Sequence, residues 1–388
     1  MTATAPEDYR CQICGGATLH EFTRFRELKR VTSDSRPWAT GGRIAVCRDC
    51  SAVQKLVDAD WLEEIGRIYG SYAIYHQAGG KEQPIFKANG EAPEPRSRSL
   101  IAYLERRTRL AAEAVVLDFG CGTGAALRTY SELYPGWTLY GSELSTRNLK
   151  LLSEIPGFRE LFTCPPDQIP LHFDLITLIH ALEHVLDPVD ILRRLATRLA
   201  AGATLFVQVP DGARTPYDLV IADHLLHFTL DTLGLAARRA GIEPVELSDA
   251  VLPKELSLVG RAGGSETSAE SLPDSRPVIQ HVGHQIEWLF AQIASAIEIA
   301  DGNPRFGIFG TSISGTWLAG ILGDRVSFFV DEDPGRIGGR HMERPVLSPD
   351  QIAGDADVFV PLIPDVAASV VARLSRPTVR FHAPPRLA

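Results

Sequence analysis

Short apolar runs alternate with segments of helical spacing through the middle of the chain. The runs that predict buried strands are residues 115–119, 137–141, 173–179, 204–209 and 256–260. The segments with apolar residues every three or four positions, which predict helices, are residues 97–110, 123–133, 147–153, 188–199 and 231–240. Strands separated by helices predict a parallel sheet with helices on both faces.

A second, smaller α/β unit is predicted towards the C-terminus. Residues 263–277 are rich in Gly, Ser, Glu and Pro, which favours a linker. A long helix over about residues 280–300 follows it. Further strands are expected at residues 306–309, 326–330 and 358–360, with a helix at 316–322. We therefore expect three domains, at residues 1–75, 76–264 and 278–388.

Composition and charge narrow the class of protein. The 388 residues are 45% hydrophobic and 22% charged, as in folded proteins, and the length is too great for one core. The net charge of −9 argues against a nucleic-acid partner, and we expect the arginines between residues 96 and 109 to form the polar face of a helix. Neither a signal peptide nor a run of about 18 apolar residues is found, so we expect a cytoplasmic protein without a membrane partner.

Four of the six cysteines form two Cys-x-x-Cys pairs, Cys11 with Cys14 and Cys47 with Cys50. Each pair presents two thiolates from one tight turn, and Zn²⁺ prefers four such ligands in a tetrahedron. We therefore expect a zinc ribbon over residues 1–75 in preference to free thiols. Four thiolates leave no open coordination position, so the expected role of zinc is structural.

A glycine-rich turn follows the first strand of the central unit. Gly120, Gly122 and Gly124 lie between that strand and a helix, where glycines allow a sharp turn and close approach of a ligand to the backbone. Glu143 ends the next strand, where a carboxylate accepts both hydroxyls of a ribose. Together with Asp118, these residues predict a nucleotide-type cofactor site.

Two cofactors suit such a turn, an NAD-type dinucleotide and S-adenosylmethionine (SAM). The loop reads Gly-x-Gly-x-Gly rather than Gly-x-Gly-x-x-Gly. Asp118 precedes the first glycine, where it would repel a pyrophosphate, whereas a cationic sulfonium tolerates a nearby carboxylate. SAM is therefore the expected cofactor.

The run from Val116 to Gly124 resembles motif I of the class I SAM-dependent methyltransferases, and residues 173–176 resemble their fourth strand. Nearly the whole chain resembles the sugar C-methyltransferase family. That resemblance implies a class I methyltransferase Rossmann-like sheet, an N-terminal zinc ribbon and a smaller C-terminal Rossmann-like α/β domain. It also implies methylation of a carbon beside a ketone on a nucleotide-linked deoxysugar, in antibiotic or glycan biosynthesis.

The resemblance extends to three segments of the reaction site. Residues 69–76, which include Tyr72 and Tyr75, are similar to a Tyr-rich segment that reaches into the family's active site. His184 lies where the family supplies a histidine after the fourth strand. Residues 222–229 resemble the family's Glu-His-x-x-Tyr-Phe-Ser.

This sequence departs from that last motif at two positions. Asp223 stands in place of the Glu, and His227 in place of the Tyr. The implied chemistry makes His224 the base that removes a proton alpha to a carbonyl, because imidazole titrates near neutral pH. Asp223 is expected to orient His224 through a hydrogen bond.

The remaining site residues are expected to bind the acceptor. Tyr72, Tyr75 or His184 holds the oxyanion or the substrate, and the enolate carbon attacks the SAM methyl group in line. Two other functions stay open. One is O- or N-methylation of another small metabolite, suggested by Asp223 and His227, and the other is a non-catalytic SAM-binding scaffold.

The C-terminal unit carries a second candidate site. Residues 310–315 lie between a strand and a helix N-terminus, which is a natural anion site, and Asp331 ends the next strand. The expected ligand is the diphosphate of a nucleotide-sugar. The alternative is an α/β domain that only packs against the rest of the protein.

Overall fold

The N-terminal segment folds as a small antiparallel sheet followed by a helix. The structure, a computed structural model, describes residues 9–71, 84–85, 94–264 and 274–387. The first elements are β1 (Leu19–Glu21), β2 (Lys29–Val31), β3 (Pro37–Thr40), β4 (Ile44–Cys47), β5 (Val53–Lys55) and α1 (Ala59–Gly70). Strand β4 pairs antiparallel with β1 and with β5, and β2 pairs with β3 in a separate ribbon.

A seven-stranded sheet forms the centre of the molecule. Before it come β6 (Pro84–Ile85), β7 (Glu94–Pro95) and α2 (Arg96–Glu105). The elements that follow are β8 (Val115–Phe119), α3 (Ala125–Leu133), β9 (Thr138–Ser142), α4 (Leu149–Ser153), β10 (Phe158–Phe162), β11 (Phe173–Ile179), α5 (Pro188–Ala196), β12 (Leu199–Pro210), β13 (Leu226–His227), α6 (Leu230–Arg239), β14 (Ile242–Ser248) and β15 (Glu255–Ala262). The strand order is β10-β9-β8-β11-β12-β15-β14, which confirms the Rossmann-like α/β sheet expected of a class I methyltransferase.

Two features of this sheet differ from the sequence prediction. The apolar pattern does not indicate β10 or β14, because both are edge strands with several exposed or half-exposed side chains. The sheet is also not wholly parallel, since β15 pairs antiparallel with both β12 and β14. Only a short loop joins β14 to β15, and a parallel pair would need a crossover connection there.

The C-terminal unit is a six-stranded sheet preceded by a long helix. Its elements are α7 (Ser275–Gly302), β16 (Phe306–Phe309), α8 (Ile313–Leu322), β17 (Val326–Val330), β18 (Arg340–His341), β19 (Arg344–Leu347), β20 (Ala356–Phe359), α9 (Pro364–Leu374) and β21 (Val379–His382), in the sheet order β18-β19-β17-β16-β20-β21. Helix α7 begins inside the expected linker, because Pro277 falls in its first turn, where no intrahelical hydrogen bond is lost. None of the described helices has both the length and the hydropathy needed to cross a bilayer.

The N-terminal segment shares its apolar core with both larger units. One cluster of buried side chains joins Cys47 and Ala52 to Phe228 of the central unit. Another joins Val53 to Trp317 of the C-terminal unit. Strand β13 extends the N-terminal sheet, since Leu226 pairs with Gln54 and His227 with Val53. The segment that contains His224 and His227 is therefore held against the N-terminal sheet.

Candidate active site

The turn between β8 and α3 keeps its three glycines in left-handed backbone conformations. The φ angles are +76° at Gly120, +53° at Gly122 and +82° at Gly124. Glycine is favoured at such angles because it has no Cβ. A Cβ on Gly120 would also lie 2.6 Å from the Cβ of Ala181, so the turn packs closely against the segment after β11. Residues 118–124 are called the glycine loop below.

Two carboxylates belong to this region. Asp118, at the end of β8, is buried and accepts a hydrogen bond from Thr177 Oγ1 at 2.6 Å. Glu143, just after β9, accepts the Gly122 amide at 2.7 Å and the Leu144 amide at 3.1 Å. A fixed carboxylate beside a turn of bare backbone suits the ribose of SAM, and the charge of Asp118 suits its sulfonium. The residues expected to bind SAM therefore fit that cofactor.

A buried aspartate, Asp218, binds two histidines with its two carboxylate oxygens. His224 Nδ1 lies 2.7 Å from Oδ1, and His227 Nδ1 lies 2.6 Å from Oδ2. An ionised carboxylate only accepts hydrogen bonds, so each neutral ring carries its proton on Nδ1 and its lone pair on Nε2. His224 therefore keeps Nε2 available as a basic nitrogen. Lys55, His184, Asp218, His224 and His227 are called the imidazole cluster below.

The pKa values of the two histidines on Asp218 are shifted in opposite directions. Burial disfavours a charge on His224, but the charge of Asp218 outweighs it and raises the pKa of His224 above its ordinary value. Burial and the nearby charge of Lys55 lower the pKa of His227 to about 4. His227 is therefore neutral near pH 7, and of the two imidazoles on Asp218 it is His224 that binds a proton more readily.

Asp223 does not orient His224, contrary to the sequence prediction. Its Oδ1 accepts the Ser33 amide at 2.8 Å, and its Oδ2 accepts the Ser33 hydroxyl at 2.5 Å. The carboxylate is thus directed at the turn between β2 and β3. The short helical turn Pro216–Val220 instead brings Asp218 to His224. Adjacency in the sequence therefore gave the wrong partner.

His184 lies beside His224 in the cluster. Their ring centroids are 4.7 Å apart and the planes are nearly perpendicular, at 87°. His184 Nδ1 donates to the Asp223 carbonyl at 2.9 Å and lies 3.1 Å from the hydroxyl of Tyr69. Burial and the charge of His224 lower the pKa of His184. Of the two neighbouring rings, His224 is therefore the one that binds a proton more readily.

Two expected site residues, Tyr72 and Tyr75, lie outside the described residues. Tyr69, from the same Tyr-rich segment, is described, and it is the residue whose hydroxyl reaches His184. It belongs to the last turn of α1. The Tyr-rich segment thus begins beside the imidazole cluster.

Lys55 and Asp218 are members of the cluster that the sequence patterns did not indicate. Lys55 ends β5 with no exposed surface, and its Nζ donates to the Leu219 carbonyl and to His227 Nε2, the latter at 3.3 Å. Burial and the charge of Arg30 lower the pKa of Lys55 to about 7. The one signal in the sequence is a lysine within an apolar run, which is weak because lysines at strand ends are generally exposed.

An ion-pair network adjoins the cluster at the end of β11. His180 Nδ1 lies 3.3 Å from Glu183 Oε1, and His180 Nε2 lies 3.3 Å from Glu255 Oε2. Burial opposes a charge on His180, but Glu255 and Glu183 raise its pKa to about 9. Glu183 also lies within 4.8 Å of ligand atoms on His184 and His224. His180 therefore supplies a countercharge for Glu183.

The four N-terminal cysteines come together in one group. The Sγ atoms of Cys11 and Cys50 are 3.5 Å apart, and those of Cys14 and Cys47 are 3.6 Å apart. In a zinc tetrathiolate, bonds of about 2.3 Å place the sulfurs about 3.8 Å from each other. The Gly16 amide points at the Cys14 sulfur at 3.4 Å. The donor set and spacing therefore fit zinc, and zinc itself stays a prediction.

The turn before α8 has a more elaborate set of contacts than the sequence indicates. Thr311 Oγ1 donates to Asp331 Oδ2 at 2.9 Å, and Arg336 Nη1 donates to Thr311 Oγ1 at 2.7 Å. The other oxygen of Asp331 accepts the amides of Glu332 and Asp333. Arg336 is largely buried, with its side chain 9% exposed. The turn thus combines a helix N-terminus with a guanidinium that the loop motif did not predict.

The central part of the chain matches a known family. Residues 94–247 match a family model described as a methyltransferase domain. The matched segment contains the glycine loop, Asp218 and the three histidines of the imidazole cluster. It does not contain Lys55 or the four cysteines.

Individual relatives are methyltransferases too. The ubiquinone biosynthesis O-methyltransferase of Idiomarina loihiensis is 26% identical over 220 residues, which are 53% of this chain and 84% of that protein. The trans-aconitate 2-methyltransferase of Variovorax paradoxus is 32% identical over 130 residues, 29% of this chain and 49% of that protein. A solved S-adenosylmethionine-dependent methyltransferase from Clostridium acetobutylicum has a TM-score of 0.37 and 11% identity, and the likeness covers 53% of this chain and 98% of that chain.

Proposed function

We propose that the protein, an S-adenosylmethionine-dependent methyltransferase, methylates a carbon alpha to a ketone on a nucleotide-linked deoxysugar or a related small molecule. The observation that carries the proposal is the buried His224, whose Nδ1 is held 2.7 Å from Asp218. An imidazole fixed in this way offers Nε2 to a weakly acidic C–H bond. The resemblance to the sugar C-methyltransferases suggests the class of acceptor.

The proposed reaction moves one proton and one methyl group. SAM, when bound, supplies the methyl group as a sulfonium. His224 Nε2 takes the proton from the alpha carbon, and the electron pair of that C–H bond passes into an enolate. The enolate carbon then forms the new C–CH₃ bond as the S–CH₃ bond breaks. Asp218 stabilises the imidazolium that results, which is consistent with the raised pKa of His224.

The residues around His224 suit the other requirements of this chemistry. His184 stays neutral because its pKa is lowered, so it does not compete for the alpha proton. Tyr69 holds the His184 ring from the side of α1. We propose that Tyr72 and Tyr75, from the same Tyr-rich segment, donate to the enolate oxygen or to the sugar. Asp223 serves the site by tying it to Ser33 of the N-terminal segment.

We also propose that the turn before α8 binds the diphosphate of the nucleotide. Gly310 has a left-handed φ of +84°, which brings bare backbone to the N-terminus of α8. Such a terminus attracts anions. Arg336 donates to Thr311 and pairs with Asp331 at 3.6 Å and Asp333 at 3.4 Å, so a diphosphate would have to replace these carboxylates as its partners. Asp331 is engaged by Thr311, so a ribose would have to replace that contact.

The cysteine group is proposed to be a structural zinc site. Its four sulfurs account for a full tetrahedral shell and leave no position for an acceptor. Cys47 and Cys50 flank the turn that leads into β5, the strand that ends at Lys55. The zinc would therefore hold the strand that supports the imidazole cluster.

O-methylation is the second candidate. The relatives named above include a ubiquinone biosynthesis O-methyltransferase, whose name gives oxygen as the methylated atom. Those relatives align with about half of this chain at most. A base beside the methyl donor serves an oxygen acceptor as well, so the atom must be decided by experiment. A scaffold without turnover is disfavoured, because the matched domain is an enzyme domain.

Solvent exchange separates carbon from oxygen as the acceptor. The enzyme would be incubated in D₂O with S-adenosylhomocysteine and a panel of nucleotide-linked keto-deoxysugars, and NMR would follow the alpha proton. We expect exchange with the wild type and its loss by about 10²–10⁴-fold in His224→Asn, because the base is gone. Calorimetry should give the same affinity for S-adenosylhomocysteine in both proteins.

The matched control is His382→Asn. His382 is also a histidine bound to a carboxylate, Asp357 Oδ1 at 2.5 Å, but it lies in the C-terminal unit away from the cluster. It should leave exchange unchanged. Methylation of a hydroxyl with no exchange by the wild type would replace the proposal by the O-methylation candidate, and full exchange in His224→Asn would remove His224 as the base.

A further inference from the structure

Lys55 is a buried ammonium held by the imidazole cluster. Its Nζ contacts the Leu219 carbonyl, the Nε2 of His227 at 3.3 Å, and the face of the Phe25 ring at 4.8 Å from the centroid. Burying an ammonium opposes folding unless its charge and hydrogen bonds are compensated. The pairing of β5 with β13 uses backbone groups and does not need this side chain. A charge in this position therefore calls for a separate explanation.

We propose that Lys55 is a positioning residue of the methyl-transfer site, which holds His227 on one oxygen of Asp218 and so reserves the other oxygen for His224. The proposal rests on the proposed function, in which His224 is the base. Lys55 belongs to the N-terminal segment, outside the matched methyltransferase domain. The inference thus gives that segment a part in the chemistry besides metal binding.

The hydrogen-bond directions in the cluster are set by Asp218 and agree with Lys55. Below its pKa of about 7, Lys55 is an ammonium, which has donors and no acceptor, so His227 Nε2 accepts from it. The proton of His227 then lies on Nδ1 and is donated to Asp218 Oδ2. This leaves Asp218 Oδ1 to accept from His224 Nδ1, so the lone pair of His224 lies on Nε2. Asp218 and Lys55 therefore fix the same tautomer of His227 from its two ring nitrogens.

The charge of Lys55 acts in the same direction. It contributes to the low pKa of His227, about 4, so His227 does not become a second cation on Asp218. Without that charge, the pKa of His227 should rise towards the ordinary histidine value of about 6.5. A protonated His227 would compete for Asp218, and the pKa of His224 would fall as a result.

Other charged groups near Lys55 also shift its pKa. Arg30 lowers the pKa of Lys55, whereas Asp218, Asp223 and Glu64 raise it. Arg30 is itself paired with Glu64 by two hydrogen bonds, at 2.6 and 2.7 Å.

His224 is faced by further charges as well. Glu183 and Asp223 raise its pKa in addition to Asp218. All of these groups remain in a variant that lacks Lys55. A change in the titration of the imidazoles would therefore report the loss of Lys55.

The test uses the full-length, metal-loaded protein with ¹⁵N-labelled histidine. Of the 11 histidines, His224 and His227 would be assigned by the loss of their signals in His224→Asn and His227→Asn. In Lys55→Met we expect the pKa of His227 to rise by about 1–2 units and that of His224 to fall by about one unit. The acid limb of kcat/KM should move to lower pH by the same amount as His224, and kcat should fall more than KM changes.

Two further variants make the result decisive. Arg30→Met also removes a buried cation of the N-terminal segment, so it should lower thermal stability without moving the His227 tautomer or the titration of His224. Lys55→Gln keeps a hydrogen-bond donor and removes the charge, so His227 should keep its tautomer while its pKa rises. Lys55→Gln gives the answer if Lys55→Met does not fold.

Unchanged titration of both imidazoles in the folded Lys55 variants would overturn the proposal, and so would an equal change in Arg30→Met. The NMR measurement needs no acceptor. If His224→Asn retained full methyl transfer, the proposed function would fail, while the titrations would still show whether Lys55 controls the charge of His224.

Discussion

The glycine loop and Glu143 lie close together in the sequence, in one strand–turn–helix unit and the strand after it. The imidazole cluster instead combines residues from three separate places, namely β5, the turn after β11 and residues 218–227. Each glycine of the loop is required by its own backbone angle. The cluster as a whole is brought together by contacts between residues distant in the sequence, as when Lys55 binds His227 across 172 positions. The cofactor side therefore depends on local conformation, and the acceptor side on tertiary structure.

This difference predicts that the two sides of the site can be damaged separately. The glycine loop makes its described polar contacts within the central sheet, and none of those contacts involves the N-terminal segment. The imidazole cluster is tied to that segment through Lys55, through Ser33 and through the pairing of β5 with β13. Damage to the N-terminal segment should therefore affect methyl transfer far more than cofactor binding.

Removal of the proposed zinc should produce the largest separation. Without a metal, the turn that holds Cys47 and Cys50 no longer fixes β5, so Lys55 and the β5–β13 pair lose their support. We expect methyl transfer to fall by roughly a hundredfold after chelation, while the affinity for S-adenosylhomocysteine changes by less than about threefold. Elemental analysis, turnover and calorimetry on the same sample would measure this. Zinc added back should restore turnover, and a parallel loss of cofactor binding would contradict the separation.

Gly120→Ala should damage the other side. A left-handed residue with a Cβ costs about 1–2 kcal/mol, and the contact with Ala181 adds about 1–3 kcal/mol of overpacking. Relief of that contact moves the backbone that the cofactor approaches, so the Kd for S-adenosylhomocysteine should rise by at least about tenfold. Calorimetry and thermal unfolding would check both effects.

Gly202→Ala is the matched control for this substitution. Gly202 has nearly the same φ, +77°, and a Cβ there would meet nothing within 4 Å. Gly202→Ala should be destabilised only by the strain of its left-handed backbone, and its Kd for S-adenosylhomocysteine should not change. An equal rise in Kd for both variants would show that the packing against Ala181 is not what matters.

The pH dependence of kcat/KM and of cofactor binding should distinguish the imidazole cluster from the glycine loop by a smaller effect. The base must be neutral to accept a proton, and the pKa of His224 is raised, so kcat/KM should increase with pH through an apparent pKa above about 6.5. In Asp218→Asn the acid limb should move down by about 1–3 units, and the plateau should fall by roughly tenfold because the base is weaker. Binding of S-adenosylhomocysteine should not change over the same range.

Asp223→Asn is the control for Asp218→Asn. Asp223 is a carboxylate of the same segment, but it binds Ser33 and not His224. The acid limb should therefore move less in this variant. A larger movement than in Asp218→Asn would restore the partner that the sequence suggested.

The fold was largely predictable where strands are buried on both faces. Residues 115–119 and 173–179 are continuous apolar runs, as is typical of central parallel strands, and the structure has β8 and β11 at those positions. The edge strands β10 and β14 escaped prediction because solvent replaces part of their packing. Strand β15 pairs antiparallel because a short loop joins it to β14. The apolar pattern predicts a strand there but does not indicate the direction in which it pairs.

The candidate site was predictable to a different extent on its two sides. The glycine loop follows a motif whose spacing is set by one turn, so each of its residues was indicated. Asp218 lies six and nine positions before His224 and His227, and no single helix or strand period places all three side chains on one face. Asp223 is adjacent to His224 in the sequence, yet neighbouring side chains commonly point in different directions, and its carboxylate binds Ser33. Lys55 reaches the site only through the pairing of β5 with β13.

The pairing of β5 with β13 also bears on how the chain folds during synthesis. Translation at roughly 5–20 residues per second leaves β5 without its partner for roughly 10–30 s after it leaves the ribosome. During that interval Lys55 is hydrated and one edge of β5 is open to incorrect pairing. Strand β5 is synthesised well before its partner and therefore reaches its final pairing only after β13 emerges, so slow elongation across residues 56–226 should lengthen its exposure.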